Sequence, residues 1–383
     1  MNASLTELRR RLHRTAERSG NESATAAIIE EEVRAMRPDA IATGVGGHGI
    51  LAAFEGSVPG RTVLIRADMD ALPLADDPSL AWTSQDPTTA HLCGHDGHMA
   101  TVVGVGRRVA ELRPERGRIV LLFQPAEETG AGADAMLRDP AFEPFRPDVA
   151  FAQHNLPGFP LGQVVVRQGS FASASRGMIT TYDGASSHAA EPHEGRTPVP
   201  AVARLAQVLA SLPQHATALH ETAQVTVVGL EAGGPAFGTS PAAGRVMATL
   251  RAHEQDIMDR ISERARSKAE GLAHVHDLRC SIEWVEAFPA TVNDPALTEL
   301  VVSTATELAM DVAWREHPFA WSEDFGHFTS VFPGVLFGLG SGVEQPALHA
   351  PGYDFPDALI EPGSRLLFEV ARRALAPERT DDG

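Results

Sequence analysis

The chain has 383 residues, long for a single hydrophobic core and comfortable for two domains. Hydrophobic residues at 43% and charged residues at 21% exclude a largely disordered chain. Thirty-two Lys and Arg against 50 Asp and Glu leave a net charge of −18, which argues against nucleic acid as a partner.

Residues 3–18 read as a surface helix, with Leu5, Leu8 and Leu12 at helical spacing. They lack the apolar centre and small-residue cleavage site of a signal peptide. A second helix is expected over 22–36. The run Gly44-Val-Gly46-Gly-His-Gly49 has the spacing of a dinucleotide-binding loop, but residues 50–54 then read as a strand. That loop needs a helix directly after it, so a hairpin turn is predicted instead. Strands Thr62–Ala67, Arg118–Phe123 and Val149–Gln153 are apolar on both faces, as in a sheet covered by helices. A helix over 96–112 separates the first two, which is α/β order. The longest apolar runs, such as 119–123, are strand-length, so no membrane span is expected.

The pattern changes from Arg176. A strand, a helix near 198–212, strands at Gln224–Leu230 and Arg245–Arg251, a helix near 254–272 and a strand at Leu278–Val285 follow in turn. This βαββαβ order is the ferredoxin-like split unit. Beyond 288–294, a helix near 295–309 and a strand at Val335–Leu339 resume the α/β pattern. The expected fold class is therefore α/β, a central mostly parallel sheet flanked by helices with an inserted ferredoxin-like α+β domain. The catalytic domain is assigned to residues 1–175 and 288–383, and the insert to 176–287. Residues 377–383 are expected to be a frayed tail.

Four segments rich in chemistry stand where strands of the larger domain end: Arg66-Ala-Asp68-Met-Asp70, His91-Leu-Cys93-Gly-His95-Asp-Gly-His98, Gln124-Pro-Ala-Glu127-Glu128 and Gln153-His154-Asn155. Ligands in open α/β sheets bind beyond the carboxyl ends of strands. His349 is a fifth candidate. Thiol, imidazole and carboxylate together suit zinc, manganese, cobalt or nickel. Cys93, His95, Glu128, His154 and His349 supply enough ligands for two divalent metal ions, provided one group bridges. The neighbouring Glu127 stays free to act as general base and then acid. Other histidines have plainer readings: His91 and His98 are expected to be structural or solvent-facing. Asp96 reads equally well as a charge at a helix N-terminus or as support for the ligands. Cys280 reads as packed core, and two cysteines cannot build a disulfide framework, which points to the cytoplasm.

These segments, with Gly184-Ala-Ser-Ser-His188-Ala-Ala, Ser322-Glu-Asp-Phe325 and Leu348-His349, resemble the metal-dependent aminoacylase and carboxypeptidase family. The branch is that of hippurate and indole-acetyl-amino-acid hydrolases, and the resemblance covers nearly the whole chain. It implies a di-metal exopeptidase-like fold holding two divalent ions per subunit, zinc or manganese first, with Cys93 bridging and Glu127 as base. Asp68 or Asp70 would orient a ligand imidazole or a basic neighbour, and Asp68 is counted with Glu127 as serving catalysis. His188 would bind the scissile carbonyl in a dimer partner's site, and Arg251 the substrate carboxylate. The expected function is hydrolysis of N-acyl amino acids or related amide conjugates by a homodimer or higher oligomer joined through the insert. Two alternatives remain: a dipeptidase or carboxypeptidase using the same site, and a binding protein without turnover. One departure stands out, since Gly238 in Ala236-Phe-Gly238-Thr-Ser-Pro241 occupies the place where relatives carry an asparagine.

Overall fold

In the computed structural model, residues 4–376 are described. The frayed tail expected at 377–383 lies outside them. The described residues divide into two compact units: residues 4–171, 291–318 and 323–376 belong to the first, and residues 172–290 with 319–322 form the second.

The first unit is built on strands β1 (Ala40–Val45), β2 (Gly49–Glu55), β3 (Val58–Asp68), β4 (Arg116–Gln124), β5 (Val149–Pro157), β6 (Val164–Val166), β7 (Val312–Trp314) and β8 (Gly334–Gly342). Their spatial order is β1-β2-β4-β3-β5-β8-β6-β7. The four central strands β4, β3, β5 and β8 run parallel. The β1–β2, β2–β4 and β8–β6 pairs are antiparallel, so the expected mostly parallel sheet has a mixed margin on either side. Gly44, Gly46 and Gly47 all have positive φ and turn β1 into β2, which makes the glycine run a hairpin.

Helices α1 (Leu5–Arg14), α2 (Ser23–Ala35), α3 (His95–Glu111), α4 (Pro295–Glu307) and α5 (Ile360–Ala374) accompany this sheet. Val63, Ile65, Leu121, Phe123, Phe151, Val335 and Phe337 of the central strands join Met99, Val103, Leu366 and Leu367 of α3 and α5 in one buried core. Truncating such a side chain to alanine typically costs ~2–5 kcal/mol, which makes the strand ends a firm platform. Helix α1 departs from the surface helix expected. Its inner face buries Arg9 and His13 beside Leu8 and Leu12. The charges are paired: Arg9 hydrogen-bonds Asp96 and Asp354 and forms an ion pair with Asp357, and His13 bonds Asp76 and Asp96.

The second unit is a four-stranded antiparallel sheet in the order 223–232, 243–252, 174–183, 279–288. Helices Val199–Ala216 and Gln255–Val275 contribute Leu205, Leu209, Met258 and Ile261 to its core. Numbered along the chain, the strands lie 2-3-1-4, the arrangement of a ferredoxin-like βαββαβ unit. Cys280 lies in the strand 279–288, half-buried against this core.

Candidate metal centre

Most of the candidate site residues stand where a strand of the first unit ends or a helix starts, and His349 stands in a turn after β8. Gly94 precedes α3 with φ +92°, and a Cβ there would stand 2.6 Å from Asn155 Oδ1. Only glycine suits that turn, which sets Cys93 and His95 on either side of it. Ala126, with φ +52°, follows β4 and leads directly into Glu127 and Glu128. Its N–H donates to the Glu22 carboxylate at 2.9 Å. His349 also has a positive φ of +64°, with its N–H bonded to the Leu92 carbonyl. Backbone strain at non-glycine residues persists where the surroundings fix it, and two such residues frame this one site.

Cys93, His95 and His154 bring one ligand atom each within 4.8 Å of one another. Cys93, Glu128 and His349 form a second such group, sharing only the thiol with the first. The Cys93 Sγ lies 3.5 Å from His154 Nε2, and Glu128 Oε1 lies 3.8 Å from His95 Nε2 and 3.7 Å from His349 Nε2. The imidazoles are held from behind. His95 Nδ1 bonds the Asp70 carbonyl at 2.9 Å, and His154 Nδ1 bonds the Asn155 carbonyl at 2.9 Å. Both Nε2 atoms therefore face the Cys93 thiol side, the arrangement that fixes ligand tautomers in metal sites. His95 Nε2 and Glu128 Oε1 are buried with no hydrogen-bond partner, as expected of atoms that complete their valence on a cation.

The electrostatics point the same way. Burial and then the Glu128 carboxylate push the Cys93 thiol well above its usual range. Burial raises the Glu128 carboxyl to about 7 against the opposing pull of His95. Burial, Glu323 and Glu128 hold the Glu127 carboxyl well above the ordinary carboxylate range. Burial and neighbouring His98 lower the His154 imidazole to about 3, which leaves it neutral and able to ligate. Divalent cations would relieve this crowding of anions and bring the acidic groups back down.

Glu127 belongs to neither of the two groups that share Cys93, although it lies within the same 4.8 Å reach of His95 and Glu128 and, on its other side, of Glu323 and Asp324. Its Oε1 accepts the Asp324 N–H at 3.2 Å, while its Oε2 lies 3.9 Å from His95 Nε2. Asp68 does not reach a ligand by hydrogen bond. Its oxygens go to His98 Nδ1 and Arg66 Nη1, both at 2.6 Å, and it stands 3.7 Å from His95 Nε2. His98, expected to be structural or solvent-facing, is buried between Asp68 and Asn155, and its ring lies edge-on to His154. His91 is likewise buried. Asp96, the open case, faces away from the ligands and binds Arg9 and His13.

Arg66 and Glu323 carry no role in the sequence reading, although both stand in motifs singled out there. Arg66 is buried at the end of β3 and donates to Asp68, Glu323, Asp324 and Gln124. A guanidinium in a strand otherwise apolar on both faces was the available signal, because a buried charge requires partners.

His188 and Arg251 lie in the second unit. His188 is exposed, pairs with Thr239 across a two-residue bridge, and accepts the Ala190 N–H on Nδ1. Arg251 Nη1 donates to the Ala320 carbonyl and to Ser322 Oγ, both at 3.2 Å. Gly238 has no atom within 4 Å of the Cβ it lacks, so crowding does not explain glycine there.

The family model for Peptidase family M20/M25/M40 matches residues 64–373. The chain belongs to this family. The N-acetyldiaminopimelate deacetylase of Exiguobacterium sibiricum is 32% identical over 355 residues, 90% of this chain and 93% of that protein. The N-acetyl-L-cysteine deacetylase of Bacillus subtilis is 29% identical, covering 97% of this chain and 88% of its own. Among solved structures, the Bacillus subtilis YXEP protein, described as a dinuclear metal binding peptidase from the M20 family, superposes with a TM-score of 0.81. It is 24% identical, with 97% of each chain covered, and shows the shared fold.

Proposed function

We propose that this M20 protein is a metal-dependent hydrolase of N-acyl amino acids or closely related amides. The carrying observation is a pair of candidate ligand groups that share Cys93, with one further carboxylate, Glu127, within reach of His95 and Glu128 beside them. The names of the deacetylase relatives support the substrate class. Cys93, His95, Glu128, His154 and His349 would hold two divalent ions, zinc or manganese before cobalt or nickel, with the thiolate bridging. Bound there, the ions supply Lewis acidity to the scissile carbonyl and acidify the attacking water.

The chain's own groups do the rest. Glu127 Oε2 takes the proton of the attacking water, and the same oxygen returns it to the nitrogen of the departing amine. Asp68 keeps His98 and Arg66 in place. His188 stabilises the developing oxyanion from a second copy of the chain, and Arg251 pairs with the carboxylate of the amino-acid half. The dimer joins through the second unit, and the protein works in the cytoplasm. No helix among the described residues is long and apolar enough to cross a membrane.

Glu127→Gln tests the assignment. It should lower kcat by the ~10²–10⁴-fold typical of a general base while metal content stays unchanged. Near-normal turnover in that variant would remove Glu127 from the role. Dipeptides cleaved in preference to N-acyl amino acids would shift the substrate class to peptides.

A further inference from the structure

A general base must be both near and aimed, and Glu127 is aimed by groups outside the ligand set. Its Oε1 is occupied by the Asp324 N–H, which leaves Oε2 as the oxygen turned toward His95. Asp324 is itself pinned on both oxygens. Oδ1 accepts from Arg66 Nη2 and Gln124 Nε2 at 2.8 Å, and Oδ2 accepts from Gln124 Nε2 at 2.7 Å and the Ala133 N–H at 3.0 Å. Glu323 Oε1 accepts from the same Arg66 Nη2 at 2.8 Å and from the Phe325 N–H at 3.2 Å. Arg66 lies two residues before the end of β3, and Gln124 closes β4, directly before the turn that carries Glu127. Arg66, Gln124, Glu323 and Asp324 are all buried.

We infer that Arg66 and Asp324 are positioning residues for Glu127: they lock the 323–325 turn so that its N–H fixes one carboxylate oxygen and leaves the other for proton transfer. This inference rests on the reading of Glu127 as the base. Arg66 suits the task because its planar fork spans several acceptors at once, whereas a lysine presents one compact charge. Neither residue is among the proposed ligands, so loosening the turn should move Glu127 without emptying the centre. A misplacement near 1 Å can cost about 10²-fold in rate.

The test compares Arg66→Lys, Asp324→Asn and Glu127→Gln with the unaltered enzyme on one N-acyl amino acid. Metal content, melting temperature, KM and kcat are measured for each. Asp324→Asn is expected to lower kcat by roughly 10²-fold with KM and metal content held. Arg66→Lys should fall between it and the unaltered enzyme. A kcat within about twofold of the unaltered enzyme in both, beside a disabled Glu127→Gln, would overturn the positioning role and leave the base intact. Loss of metal in step with kcat would also overturn it, because the cluster would then be supporting the ligands. An active Glu127→Gln would refute the base itself. If Asp324→Asn does not fold, Gln124→Glu keeps the question open to measurement, since it replaces the amide donor to Asp324 by an acceptor and carries the same expected drop in kcat.

Discussion

Cys93 Sγ and His154 Nε2 stand 3.5 Å apart although 61 residues separate them along the chain. One comes from the turn before α3 and the other from β5, so the contact exists only once β3, β4 and β5 are side by side. Its consequence is a thiol common to both ligand groups.

Because both groups share that thiol, Cys93→Ala should empty both metal positions, whereas His349→Ala should weaken chiefly one. Metal analysis after gel filtration distinguishes the two. Equal stoichiometry in Cys93→Ala and the unaltered protein would rule out a bridging thiolate.

Metal binding should release protons. Cys93 is pushed well above its usual range by burial and Glu128, and Glu128 is raised to about 7, so at neutral pH the thiol is protonated and the carboxyl is about half protonated until a cation displaces those protons. Affinity should therefore fall as the pH drops. Titration calorimetry in buffers of different ionisation enthalpy reads the number directly, and a buffer-independent enthalpy would contradict the ligand assignment.

Gly94→Ala should disturb the site without touching a ligand. The new Cβ would meet Asn155 Oδ1 at 2.6 Å in a backbone conformation at φ +92°. A loss of about 1–3 kcal/mol in stability is expected, with weaker metal binding, measured by denaturant unfolding of the metal-free and loaded forms. An unchanged unfolding midpoint would show that the turn tolerates a side chain.

His13 ties α1 to the loop at Asp76 and to Asp96 at the start of α3. Burial pulls its imidazole down, but Asp96 and Asp76 outweigh that and hold it at about 9. The folded value lies above the unfolded one near 6.5, so the stabilisation is complete below about pH 6.5 and is lost as pH rises through about 9. Its size is on the order of 3 kcal/mol. His13→Asn should flatten unfolding free energy over that window relative to the unaltered protein; parallel curves would exclude His13 as the source.

The fold was legible where pattern is local. Apolar runs such as 119–123 marked buried parallel strands, and the βαββαβ order marked the second unit. The motifs at the strand ends carried the candidate ligands because strand ends converge in this architecture. Pairings of distant charges were not legible. Residues 3–18 read as a surface helix, yet Arg9 and His13 are buried in it, and their partners Asp354 and Asp96 lie 345 and 83 residues away. Periodicity reports which face is polar and says nothing of a buried acid waiting for it. His98 left a fainter trace. It follows His95 by three residues in α3, a spacing that places both imidazoles on one helix face.

The most direct test of the central claim is amine release from a panel of N-acyl amino acids. It compares protein as purified, protein stripped with chelator, and stripped protein given zinc, manganese, cobalt or nickel. Activity lost on stripping and restored by at least one metal is the expected result. Undiminished release from fully stripped protein, or none from any conjugate in protein carrying two metals per chain, would contradict it.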